Sequence, residues 1–74
     1  MKYADIIVDI TSEKLDRTFQ YRIPDSLEEK LQVGMVVSVP FGKGNREING
    51  YVIGMTDTPQ FDENRLKCIH SIKS

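Results

Sequence analysis

The stretch from Val33 to Lys43 constrains the fold of this chain more than any other part of the sequence. After the turn residue Gly34, apolar residues occupy every second position, as in a β-strand with one buried face: Met35, Val37, Val39 and Phe41. Pro40 has no amide hydrogen to donate to a β-ladder, so we expect the regular strand to stop or bulge there. Gly42 then offers a bare backbone that another group can approach. The corner after the strand is therefore either scaffold or the rim of a binding site.

Length and charge narrow the class of protein. The chain has 74 residues, which predicts one small domain, and ten basic against eleven acidic residues give a net charge of −1. A wide groove for nucleic acid requires many cations, so this balance argues against a groove but permits a pocket for one nucleotide. The sequence has no apolar run of about 20 residues and no apolar leader, which predicts a reduced, cytosolic setting.

The sequence carries no constellation typical of an enzyme or of a metal centre. One cysteine, Cys68, and one histidine, His70, are too few ligands for a structural zinc site, and we expect the cysteine to be a small buried hydrophobe. Gly42-Lys43-Gly44 resembles only a fragment of a phosphate loop, because the first glycine, the Ser/Thr and the following helix are missing. A non-catalytic binding or scaffold domain is the favoured class.

Alternating apolar residues predict four further strands, over residues 3–10, 18–23, 48–55 and 66–72. Residues 11–17 are polar and predict a solvated loop. In the strand at 48–55, the pattern puts Gly50, Val52 and Gly54 on one face and Met55 on the other, and the two glycines indicate close packing. In the last strand, the pattern puts Leu66, Cys68, His70 and Ile72 opposite Ile69.

A short helix is predicted near residues 26–31. Ser26 and Glu29 fit a capping box, and Leu27 and Leu31 can face the core together because they are four residues apart. Together, the elements predict a mainly β (β-dominated α+β) fold: a small, strongly curved five-stranded barrel or half-barrel with mostly antiparallel pairing.

Several segments, in order and over nearly the whole chain, resemble the N-terminal domain of the PriA family of replication-restart helicases. They are Arg17–Pro24 (RTFQYRIP), Leu31-x-x-Gly34, Val39–Lys43 (VPFGK), Gly50–Gly54 (GYVIG) and Leu66-Lys67. The resemblance implies a DNA-binding module for the 3′ terminus of the nascent leading strand at stalled forks, acting in primosome assembly and replication restart. It implies that residues 1–74 are one domain excised from a longer, ATP-dependent 3′–5′ helicase of the bacterial cytoplasm and nucleoid.

The resemblance also implies cofactors, partners and site residues. The parent family uses ATP, magnesium and zinc, whereas this domain is expected to need no cofactor and to have no enzymatic activity alone. The implied partners are the single-stranded DNA 3′ end, forked DNA, the parent's helicase domains and primosomal proteins, with no membrane. The residues that match the family's pocket are Phe19, Gln20, Tyr21, Gly42 and Lys67.

Each of these residues has an expected role. Tyr21 is expected to stack on the terminal base while Phe19 mainly packs beneath the pocket. Gly42 offers its backbone, and Lys67 meets the last phosphate. Gln20 stands where the family commonly has an aspartate, and because an amide can donate as well as accept, we expect weaker discrimination against a 3′-phosphate.

An alternative remains open from the same residues. Leu31-Gln32-Val33-Gly34-Met35-Val36-Val37 is also how many SH3-like barrels begin. Under this interpretation the chain is a protein-docking or RNA-binding module.

Overall fold

The protein is described here by a computed structural model that covers residues 2–8, 18–60 and 63–73. Its elements, in chain order, are β1 (Tyr3–Val8), β2 (Thr18–Arg22), α1 (Asp25–Glu28), β3 (Val36–Phe41), β4 (Arg46–Thr56), a 3₁₀ turn (Glu63–Arg65) and β5 (Ser71–Ile72). Over the described residues the strands form one antiparallel sheet in the order β2-β1-β4-β3-β5. The predicted strand-dominated fold is confirmed. The predicted loop at 11–17 lies outside the described residues.

The two edges of the sheet meet at one point. An isolated parallel bridge joins Arg22, at the end of β2, to Cys68, just before β5. Arg22 N donates to Lys67 O at 2.8 Å, and Ile69 N donates to Arg22 O at 3.0 Å. The sheet is not closed by a continuous ladder, so the architecture is that of a half-barrel with its edges tied together.

The core lies on the inner face of this curved sheet and is formed by Ala4, Ile6, Val8, Tyr21, Ile23, Leu31, Val37, Val39, Val52 and Ile69. Gly50, in the central strand β4, lies directly against β1. A Cβ atom at position 50 would clash with Ile6 Cγ2, because real Cβ atoms essentially never come that close to a neighbouring atom. The close packing predicted for this strand is therefore confirmed at Gly50.

Strand β3 runs through Pro40 to Phe41 without a bulge, so the prediction that it stops or bulges at the proline is wrong. Pro40 pairs with Glu47 in an uninterrupted register. His70 N donates to Ser38 O at 2.7 Å, so alternate residues of β3, including Pro40, direct their backbone groups toward β5. Because β5 pairs with β3 no further along than Ser38, the missing amide of Pro40 leaves no ladder bond unmade.

Strand β4 contains a β-bulge that the alternation did not predict. The register with β1 shifts between Asp5 and Ile6, which leaves Ile53 as the extra residue. The extra residue reverses the alternation, so Val52 is buried and Met55 also packs against the core. The prediction that Met55 lies on the opposite face from Val52 is therefore wrong.

Helix α1 is a single turn that begins and ends earlier than the predicted 26–31. Its N-cap is Pro24, which forms no side-chain cap hydrogen bond, so the predicted Ser26–Glu29 capping box is wrong. The proline has φ −67°, close to the value that its ring imposes, and so directs the chain into the turn without a capping side chain. Leu31 is buried and Leu27 packs against the core, as predicted.

The C-terminal segment departs most from its predicted strand. Only Ser71 and Ile72 form a regular strand, and the bridge to Arg22 sets the orientation of the residues before it. Ile69 is 2% exposed, whereas Cys68 is exposed. The predicted burial of Cys68 and the predicted face are therefore wrong, because continuous alternation does not hold in a segment that is mostly not strand.

Candidate nucleic-acid pocket

Three segments enclose a pocket of about 420 Å³ at the joined edge of the sheet. Its wall consists of residues 18–21 of β2, the corner at residues 40–42, and residues 65–67, which begin at the last residue of the 3₁₀ turn. All five residues carried over from the family's motif line it: Phe19, Gln20, Tyr21, Gly42 and Lys67. Positions up to 48 residues apart in the sequence are thus brought to one cavity, from Phe19 to Lys67.

The aromatic residues of the pocket differ in how much ring surface they offer. Tyr21 is only 4% exposed, and its hydroxyl donates to Pro40 O at 2.8 Å. Burial raises the pKa of this phenol to about 12. Phe19 and Phe41 are half-buried and meet edge to face, with ring centroids 5.1 Å apart. The rings accessible to a base are therefore those of the two phenylalanines, whereas Tyr21 forms the packed support that was expected of Phe19.

Gly42 and Lys67 are in direct contact. Lys67 Nζ donates to Gly42 O at 2.8 Å, which connects the segment before β5 to the β3–β4 turn. Gly42 has φ +78°, a conformation that L-residues rarely adopt, and a Cβ there would meet nothing within 4 Å. The turn itself therefore favours glycine at position 42, independently of any ligand.

Gln20 lines the pocket, but its carboxamide serves another purpose. It is 7% exposed, Nε2 donates to Thr58 O at 3.2 Å, and Oε1 accepts from Gln60 N at 2.7 Å. The side chain thus fastens the segment after β4 to β2. Both ends of the amide are occupied by protein backbone.

The charge of the pocket is one-sided. Its charged lining residues within the described ranges are Arg65 and Lys67, both exposed, and no carboxylate is among them. Sequence reasoning missed Arg65, for which no motif gave a signal. Phe41 lies in the corner that was predicted as a possible rim, but it was not among the predicted site residues.

A second cavity is lined by Glu47 and His70 among others, and Glu47 also contacts Ser38, which completes a polar cluster of three residues. The buried Ser38 hydroxyl donates to the Glu47 carboxylate, and His70 Nδ1 lies 3.0 Å from Glu47 Oε2. The Ser38 hydrogen bond lowers the pKa of Glu47, and the nearby charges of His70 and Lys73 lower it further. Because Ser38 lies in β3, Glu47 in β4 and His70 just before β5, these contacts hold neighbouring segments of the sheet together.

Among the residues that the structure describes, no group of three His, Cys, Asp or Glu side chains is placed to hold a metal ion. No helix in these same ranges is long and apolar enough to cross a membrane.

Comparison with known proteins identifies relatives of this chain. The family model of the PriA 3′DNA-binding domain (3′BD) matches residues 5–74. The replication restart protein PriA of Bacillus subtilis (strain 168) is 35% identical over 72 residues, which are 97% of this chain and 9% of that protein. No solved structure matches the chain.

Proposed function

This chain belongs to the PriA 3′DNA-binding domain family, and from that premise we propose that its pocket captures the 3′-terminal nucleotide of a DNA strand. One observation carries the proposal: Phe19, Gln20, Tyr21, Gly42 and Lys67, which match the family's motif residues, line a single cavity. The cavity volume of about 420 Å³ is within the range of small-ligand pockets.

The chemistry of the pocket fits a nucleotide bound without regard to its base. Phe19 and Phe41 offer apolar ring surface, and stacking on such a ring contributes about 1–3 kcal/mol for any base. Lys67, exposed at the mouth, supplies positive charge for the sugar-phosphate backbone. Ring surface and backbone contacts carry no sequence code, which suits a protein that must bind whatever base ends the strand.

The biological role follows from the same family. We infer that the strand captured is the nascent leading strand at a stalled fork, and that the chain acts in the bacterial cytoplasm during primosome assembly. The chain spans only 9% of the length of the B. subtilis relative. A role as one domain of a longer, ATP-driven helicase that also holds magnesium and zinc, and contacts with its other domains and with primosomal proteins, are therefore part of the proposal.

A titration with two DNA ends tests the proposal. Fluorescence anisotropy would compare one oligonucleotide with a free 3′-hydroxyl against the same oligonucleotide carrying a 3′-phosphate. We expect tighter binding of the free end and a salt slope corresponding to one or two phosphates, at about 0.7 each. Equal affinities for the two ends would overturn terminal recognition, and a slope several times steeper would indicate a groove.

Aromatic variants locate the binding surface. Phe19→Ala is expected to weaken binding about tenfold, because it removes one stacking surface. Tyr51→Ala is the matched control, since Tyr51 is 49% exposed and does not line the pocket. If the two variants weaken binding equally, the DNA lies elsewhere on the surface.

Gln20 is proposed to act through the segment that it fastens. Because its carboxamide is bonded to the backbone of Thr58 and Gln60, we expect Gln20→Asp, whose side chain is too short for both bonds, to lower thermal stability. The preference for a free over a blocked 3′ end should then stay the same. A sharper preference in Gln20→Asp would instead place this side chain against the terminal sugar.

A further inference from the structure

Lys67 is fixed at both its backbone and its ammonium group. Its carbonyl accepts from Arg22 N at 2.8 Å, and its Nζ donates to Gly42 O at 2.8 Å. The side chain therefore spans the mouth of the pocket, from the joined sheet edge to the β3–β4 turn. One of the three ammonium donors is occupied by the turn, so Lys67 holds Gly42 in position as well as carrying charge.

Arg65 is the other cation of the pocket, and it is not held in this way. It ends the 3₁₀ turn, lines the same cavity and is exposed. Its guanidinium forms no hydrogen bond or ion pair with any residue in the described ranges. A guanidinium presents five N–H donors in a planar fork that matches two phosphate oxygens at once. Arg65 therefore has its full donor set available to a ligand.

The surroundings favour an anion at this point. The chain as a whole carries a net charge of −1, yet no carboxylate lines the described part of this pocket. An anion that enters the mouth meets Arg65 and Lys67 without a competing acidic group from the wall. The phenylalanine rings and Leu66 provide apolar surface elsewhere in the pocket, so the anion and the apolar part of the ligand are directed to different places.

We infer that Arg65 binds the phosphodiester on the 5′ side of the terminal nucleotide, while Lys67 chiefly positions the Gly42 turn. This inference rests on the proposed function, because it takes the apolar part of the pocket to hold the terminal nucleoside. Arg65 is not one of the five residues matched to the family's motif, so the phosphate contact inferred for it is additional to theirs.

The test measures affinity, salt dependence and the state of the turn for four variants of the 74-residue chain. Arg65→Ala is expected to weaken binding of a 3′-hydroxyl oligonucleotide about tenfold and to lower the salt slope by about 0.7. Arg65→Lys should restore the slope but only part of the affinity, because an ammonium cannot form the bidentate contact. Lys30→Ala, which removes an exposed charge away from the pocket, is the matched control and should leave both unchanged.

An NMR readout separates phosphate contact from pocket structure. The Gly42 amide resonance of the free protein should move in Lys67→Ala, which loses the bond to the Gly42 carbonyl, and should stay in place in Arg65→Ala. Unchanged affinity and slope in Arg65→Ala would overturn the inference. So would weaker binding with an unchanged slope and a displaced Gly42 resonance, since that result describes a structural role.

The outcome for Arg65 is distinguishable from the outcome for the proposed function. If the unsubstituted 74-residue chain binds free and 3′-phosphorylated ends with equal affinity, the proposal of terminal recognition fails. A reduced slope in Arg65→Ala would, even then, support Arg65 as a phosphate ligand. If the unsubstituted chain prefers the free end and Arg65→Ala keeps its full salt slope, the phosphate contact assigned to Arg65 is wrong and terminal recognition still stands.

Discussion

At the scale of single residues, Gly50 shows how the lack of a side chain at one position can decide the packing of the sheet. It lies in the central strand β4, between β1 and β3, and pairs with Val8 and Val37. The side chain of Ile6 fills the space that a Cβ at position 50 would need. The glycine thus allows β1 to pack closely against β4 at the centre of the core.

Gly50→Ala is predicted to destabilise the chain by about 1–3 kcal/mol, because the added methyl forces Ile6 or the β1 backbone to shift. Urea unfolding measures the effect. Gly44→Ala is the matched control, since Gly44 has an open surrounding and no unusual φ, and it should be close to neutral. Equal losses in the two variants would show that the cost is not the contact with Ile6.

The contribution of Tyr21 to the stability of the fold should depend on pH in the alkaline range. Burial raises its folded-state pKa from 10.0 to about 12, so the neutral phenol stabilises the fold below pH 10 and this contribution is lost as the pH rises through 12. Tyr21→Phe loses the hydrogen bond to Pro40 and should be about 1 kcal/mol less stable at neutral pH. Because phenylalanine cannot ionise, the difference should narrow and then reverse above pH 10.

Urea midpoints of both chains, measured from neutral to alkaline pH, check this prediction for Tyr21. Tyr51→Phe is the control, because it removes the same hydroxyl from a tyrosine that is 49% exposed. A constant difference between Tyr21→Phe and the parent chain over the whole range would contradict the prediction.

At the scale of elements, alternation predicted strands wherever pairing is regular. It predicted β1 and the inner face of β3, because Val37 and Val39 sit in unbroken ladders with buried faces. It failed at β4 beyond Val52, since a bulge is a property of the pairing with β1 and leaves no mark in the period of one strand. It failed again before β5, where a bridge to Arg22 orients Ile69.

The residues of the site could be predicted from the sequence, but their roles could not. Its five residues came from motif resemblance, because no periodicity could bring Phe19 next to Lys67. Their division of roles depends on burial, which is set by the tertiary fold: Tyr21 packs, Phe19 stays accessible, and Gln20 bonds the segment after β4. Arg65 could not be predicted as a site residue, because a single arginine before a strand forms no distinguishing sequence pattern.

Strand β5 is only two residues long, so we expect side-chain contacts beside it to help hold it in the sheet. The Ser38 hydroxyl and His70 both contact Glu47, next to the two-residue ladder. The lowered pKa of Glu47 means that the ionised carboxylate stabilises the fold above its unfolded-state pKa, and that this contribution is lost as pH falls below it. Ser38→Ala should therefore lower Tm by a few degrees at neutral pH, with the difference disappearing in acid.

Thermal unfolding from neutral pH down to about pH 3 measures this effect of Ser38→Ala. Ser71→Ala is a suitable control, because the Ser71 hydroxyl has no hydrogen-bond partner within the described ranges. A Tm difference that persists unchanged in acid would mean that the serine acts by packing and not through the Glu47 carboxylate.

At the scale of the whole molecule, the candidate pocket lies where the two sheet edges are tied together. Residues of β2 form one wall, and the segment that crosses to β5 forms another. The bonds from Arg22 N to Lys67 O and from Ile69 N to Arg22 O therefore hold the half-barrel together and also fix the shape of the pocket. Binding of DNA and closure of the sheet should consequently be linked.

Hydrogen exchange of the amides of Arg22 and Ile69 tests this link. Both should be strongly protected although they lie at sheet edges, whereas the amide of Asn45, which forms only a local hydrogen bond to Gly42 O at 3.1 Å in the exposed β3–β4 turn, should exchange faster. Adding a 3′-hydroxyl oligonucleotide at 100 times its Kd should slow exchange at Arg22 and Ile69 by up to about 100-fold, since a ligand that binds only the closed state stabilises it by mass action. Exchange at these two amides as fast as at Asn45 would show that the edges separate freely, and a pocket that depends on their contact could not be preformed.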